Sequence, residues 1–213
     1  MSLVKLIAQA DERGLAASGV ACLERCLPLF SEATDVLRPL WAAVVSGERD
    51  WPRRLAAARI ALDDAIAVEI AEGGAAVDAA AVDVTTTLVR TMLGSAPADW
   101  AAEPLRAWAD TCSVVALEIH QKLDAVGDSG AGAPDQLARR REDVAGAPDA
   151  VDASEGGDGI GPLVAGELRR QIRILEILAD TEGTGGLREA MDASVEGQRV
   201  LRAVVSRRAR ARS

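Results

Sequence analysis

Apolar residues recur at three and four positions along most of this chain, the period of a helix with one buried face. The stretch Leu105, Trp108, Cys112, Val115, Ile119 and Leu123 is the clearest case, and it predicts a helix that begins near Asp99 or Glu103-Pro104. Upstream, residues 3 to 27 read as one helix with a weak point at Gly14, stopped by Pro28. A segment capped by Ser31 or Thr34 follows and runs to Val45, with Pro39 as a kink or a late start. Asp50-Trp51-Pro52 is a helix-start signal for a third element reaching Glu72, and a fourth covers Ala75 to Leu93. Two later stripes are one-sided and carry no aromatics. Val164, Leu168, Ile172, Leu175 and Leu178 lie in 162 to 180, and Leu187, Met191, Val195, Leu201 and Val205 lie in 186 to 208.

Between these groups, residues 127 to 160 change character. Gly and Pro recur there, eight acids face three arginines, and the apolar residues are mostly Ala. Such a stretch buries too little surface to offset its ordering entropy, so it is expected to be a disordered linker with at most a transient helical turn at 135 to 144. The predicted fold is therefore all-α. Residues 1 to 126 form an up-and-down bundle of about five helices, and residues 161 to 213 form an amphipathic hairpin that either completes the bundle or pairs with a second copy. Leu23, Trp41, Leu62, Ile66, Leu88, Trp108, Val115 and Ile119 are expected in the core.

Composition supports this reading and narrows the chemistry. The 213 residues are 49% apolar with no Tyr, one Phe and one His, and Ala is abundant. Ala favours helix because it loses no side-chain entropy there. The 22 Arg against two Lys resemble the usage of high-GC bacterial genomes. The three cysteines, Cys22, Cys26 and Cys112, are too few for a disulfide scaffold and fit a reduced, cytoplasmic setting. No apolar run approaches the ~18 residues of a membrane span, so no membrane partner is expected.

The net charge of −9 is uneven, since residues 161 to 213 hold ten basic and seven acidic groups, a net +3. An acidic body lowers the expectation of nucleic-acid binding by the main domain. Arg199, Arg202, Arg207, Arg208, Arg210 and Arg212 end the chain, behind Glu189, Asp192 and Glu196. That order complements the helix macrodipole, and it also makes a tag for an anionic partner. With no aromatic interleaved for base stacking, RNA-specific recognition is not expected.

Three constellations are candidates for chemistry. Cys22 and Cys26, four apart on one helix face, would need Cys112 and His120 to complete a zinc tetrahedron, whereas buried core thiols are the simpler account. His120 is the one side chain with an ordinary titration near neutrality, so an acid/base enzyme would rely on it or on a perturbed carboxylate. The acids Asp63, Asp64, Glu69 and Glu72 invite a magnesium-dependent enzyme acting on a phosphorylated metabolite. Asp63-Asp64 resembles the aspartate-rich motif of all-α terpene synthases, but the next acid falls at Glu69 and no second metal motif follows. Glu69 and Glu72 resemble the first carboxylate pair of all-α nucleotide pyrophosphohydrolases, without the second Glu-x-x-Asp pair of that family. At the helical period Asp63 and Glu69 point about 240° apart, which argues for a solvated face.

No nucleophile elbow, phosphate loop or dinucleotide fingerprint is present, and nothing calls for an organic cofactor. The leading expectation is a non-catalytic cytoplasmic interaction or scaffold protein that self-associates as a homodimer. Leu168, Ile172, Leu175, Leu187, Met191 and the arginines from Arg199 to Arg210 are its expected contact residues. The alternatives are the magnesium enzyme and an accessory anion- or nucleic-acid-binding role for the arginine tail. A further regularity is that Ser46 to Trp51 and Ser95 to Trp100 share the form Ser-x-x-x-Asp-Trp, which capping chemistry alone produces.

Overall fold

Helix α2 (Glu12–Cys26) is buried on every side from Gly14 to Leu23, because its sequence sets Ala, Ser and Gly between Leu and Val and so presents no bulky polar group. A helix without a polar face belongs at the centre of a fold. In the computed structural model, which describes residues 1–27, 36–71, 79–125, 134–142, 161–181 and 184–212, the other elements are arranged around it.

The described residues form α1 (Leu3–Gln9), α2, α3 (Arg38–Ser46), α4 (Trp51–Ala71), α5 (Ala79–Gly94), α6 (Ala102–Ala125), α7 (Pro134–Glu142), α8 (Pro162–Asp180) and α9 (Thr184–Arg212), with no strand among them. Helices α3, α6, α8 and α9 all pack on α2. The expected single helix over 3 to 27 is instead two. The break falls at Ala10, not Gly14, because the Asp11 side chain accepts from the Gly14 amide at 2.7 Å and so starts a new helix. Pro39 is a late start, in the first turn of α3. The expected caps Ser31 and Thr34 and the stop at Pro28 lie outside the described residues.

The C-terminal hairpin is integral to the bundle. Ile174, Leu175, Leu187 and Ala190 belong to the same buried cluster as Leu15, Leu23, Trp108 and Cys112. Within the expected connector, α7 is a helix of nine residues whose Leu137 packs with Leu117 of α6 and Val164 of α8. The rest of residues 127 to 160 lies outside the described residues.

Two loops meet at the start of α4. Trp51 starts α4, and its ring lies 5.2 Å from Trp100 and 5.7 Å from Trp108, edge to face in both cases. Its indole donates to the Pro97 carbonyl at 2.7 Å, so the two Ser-x-x-x-Asp-Trp segments are joined through their tryptophans. Arg59 closes the end of α5, donating to the carbonyls of Leu93, Gly94 and Ala96 at 3.3, 2.9 and 2.8 Å. Asp63 accordingly pairs across to Arg90 of α5, at 3.2 Å, and not back to Arg59 along its own helix.

Candidate functional site

Deep between α2, α6 and α8 lies a chain of polar side chains. Arg25 of α2 forks onto Glu167 of α8. Its Nη2 donates to Oε1 at 2.7 Å, and its Nε reaches Oε2 at 2.8 Å and Oε1 at 3.1 Å. The two side chains are 1% and 0% exposed. Gln171, one turn along α8, donates to Glu167 Oε1 at 2.9 Å and accepts from Ser113 of α6 at 2.6 Å. Ser113 accepts in turn from Arg141 of α7 at 3.2 Å, and Arg141 pairs with Asp110.

His120 borders the same carboxylate. Its Nδ1 faces the Ala116 carbonyl at 2.7 Å, and because a carbonyl only accepts, that nitrogen carries the proton. Its Nε2 stands 3.7 Å from Glu167 Oε2. Burial pushes the Glu167 carboxyl up, but Arg25 and its other partners outweigh burial and hold it below its ordinary value. Burial opposes the charge on Arg25 as well, and its neighbours, Glu167 foremost, together more than offset it. The Arg25 Nη1 is buried without a hydrogen-bond partner among the described residues. Gly197 of α9 lies against the stem of Arg25, since a Cβ there would stand 2.5 Å from Arg25 Cδ.

The cysteines surround this pair as core thiols. Cys22, Cys26 and Cys112 are all free and fully buried. Burial pushes Cys22 up to about 12 and raises the other two well above their ordinary value, so none is a thiolate at neutral pH. Cys22 Sγ accepts from Arg25 at 3.4 Å, a cationic neighbour unsuited to a metal ligand. Among the described residues no three His, Cys, Asp or Glu side chains are gathered as a metal site, and His120 turns toward Glu167 and not toward the thiols.

Of the acidic set, two side chains are described. Asp63 is exposed and held by Arg90, and Asp64 is exposed on the outer face. Glu72 and the Glu69 side chain lie outside the described residues. The expected contact residues divide into two groups. Leu175 and Leu187 are buried in the chain's own core, and Leu168, Ile172 and Met191 pack against it half-buried. Arg199, Arg202, Arg207 and Arg210 are exposed, while the Arg208 side chain lies outside the described residues.

An open cleft of about 940 Å³ separates the paired loops, lined by Glu48, Arg49, Asp50, Asp99 and Trp100 among others. A hydrogen bond from Arg53 holds the Asp50 carboxyl below its ordinary value. No helix among the described residues is long and apolar enough to cross a membrane. The chain matches no protein-family model, no curated protein and no solved structure.

Glu167 and Gln171 were legible in one respect. They fall in phase with Val164, Ile174 and Leu178, polar residues at core positions of an apolar stripe.

Proposed function

We propose that this chain is a non-catalytic cytoplasmic interaction protein that engages an acidic protein partner through the arginine face of α9. The supporting observation is the exposure of Arg199, Arg202, Arg207 and Arg210 on one helix. At the helical period these four fall within an arc of about 140°, opposite the buried Leu201. Residues 197 to 212 contain six arginines and no acid on a chain of net charge −9. Such a concentration of guanidinium groups suits bidentate recognition of carboxylates and steers association with an acidic surface. The cytoplasmic setting is supported by three cysteines that are all unpaired. The buried polar chain fits this reading as a clamp that fixes α8 on α2, and α9, which carries the arginine face, packs on both.

The test is capture from nuclease-treated lysate with the full chain and with a variant carrying Arg199→Glu, Arg202→Glu and Arg207→Glu. A protein partner held by the first, lost by the second and released by salt supports the reading. Capture that survives the charge reversal overturns it, and capture that vanishes with nuclease transfers the arginines to nucleic acid.

A further inference from the structure

Helix α4 leaves a face uncovered. Its inner positions Trp51, Leu55, Ala58, Leu62 and Ile66 are buried, whereas Arg53, Ala56, Ala57, Ile60, Asp64, Ala67 and Val68 are exposed. Ile60 is 64% exposed, the most exposed large apolar side chain among the described residues, and Val68 two turns on is 43% exposed. Arg53, Ala57, Ile60, Asp64 and Ala67 follow one another at alternating steps of four and three, the spacing of a coiled-coil seam. At the helical period they occupy an arc of about 80°.

The order along this seam is cation, small, large, anion, which is self-complementary when read backwards. If two α4 helices lie antiparallel about a two-fold axis between residues 58 and 59, Arg53 of each faces Asp64 of the other. In the same register Ile60 of each faces Ala57 of the other, a large side chain against a small one at both central layers. An isologous contact requires this kind of pairing, with each residue of the patch answered by another of the same patch. The register that centres on Ile60 itself would set Arg53 against Ala67 and stack two isoleucines, leaving the charges unanswered. Arg53 is available, since its side chain is 75% exposed and its pair with Asp50 is a surface contact.

We propose that the outer face of α4 is the contact between two copies of this chain, packed antiparallel with Arg53 against Asp64 and Ile60 against Ala57. The proposal deepens the interaction reading by adding a second copy as partner, and it uses no residue of α9. A single helix face buries less than the ~1,200 Å² of a standard interface, so association is expected to be weak.

Sedimentation equilibrium on the full chain, from about 1 μM to about 1 mM, is the measurement, with low salt so that the charge pairs are unscreened. The expected result is a mass that doubles across the range. Ile60→Asp should weaken association at least about tenfold, and Arg53→Asp or Asp64→Arg alone about three- to tenfold. The double variant Arg53→Asp with Asp64→Arg should recover the dimer, because the swap rebuilds both pairs with reversed sign. Circular-dichroism melts confirm that each variant is folded. A monomer throughout the range overturns the proposal, as does a dimer that Ile60→Asp leaves intact, and failure of the swap to recover what the single changes lose overturns the register. A monomeric chain that still captures an acidic partner would overturn the α4 contact alone, and a dimer without such a partner would overturn the α9 reading alone.

Discussion

Replacing Glu167 by Gln removes the anion that Arg25 needs while keeping the size of the side chain. Three donor contacts at 2.7 to 3.1 Å converge on that carboxylate from Arg25, and Gln171 supplies a fourth at 2.9 Å. After the change, the new amide nitrogen presents donors to a guanidinium that only donates, and Arg25 stays charged at 1% exposure. Breaking a buried pair from one side costs about 3 to 5 kcal/mol, because the remaining charge has lost both water and partner. For a chain of this length that is a fall in Tm of about 6 to 20 °C. Urea titration followed by circular dichroism gives the difference directly. The double variant Arg25→Met with Glu167→Leu should return close to the parent, since an apolar pair of similar volume replaces the ion pair without stranding a charge. A loss under about 1 kcal/mol for Glu167→Gln, or a double variant no better than the single one, would refute the assignment of this pair as a clamp. The pH profile adds a second readout. Glu167 titrates below its ordinary value of 4.5 in the folded chain, so its contribution is complete above 4.5 and is lost as pH falls through the folded value. Glu24, which burial raises, acts in the opposite sense, with stability declining as pH rises from 4.5 through its folded value. The Gln variant should therefore lose much of the parent's acid-side slope.

Two further outcomes follow from packing. Gly19→Ala should destabilise by about 1 to 2 kcal/mol despite its better helix propensity. Its Cβ would stand 2.7 to 2.9 Å from the Trp108 ring, which is fixed by a 2.8 Å bond to the Met92 carbonyl. Gly94→Ala, with open space around the new methyl, is the neutral control in the same melt. The three thiols should resist a chromogenic disulfide reagent at pH 8 and react only as fast as the chain opens, because all are buried and raised. A thiol that reacts within seconds in the native protein would contradict that burial.

Periodicity located the α6 face well. Leu105, Trp108, Cys112, Val115 and Ile119 are all buried, and the same holds for Leu23, Trp41, Leu62 and Ile66 elsewhere. On α5 the pattern slipped by one residue, as Val89 is fully buried while Leu88 is half-buried. The break before Asp11 was missed because Gly14 is a stronger composition signal than a cap, although the Asp11 carboxylate makes the decisive bond. Arg25 and Glu167 were not legible as a pair. They are 142 positions apart, and no local spacing joins one to the other. Asp124 was hidden for the same reason. It caps α8 through the amides of Leu163 and Val164, at 3.0 to 3.3 Å, from about forty residues away.

The span between Arg25 and Glu167 also bears on how the protein is made. A ribosome adding about 5 to 20 residues each second needs roughly 7 to 30 s to travel from one partner to the other. Through that interval α2 has no anion for its arginine and no α8 or α9 to cover its hairpin side. The nascent chain therefore keeps its central helix without its charge partner and its cover until the hairpin emerges.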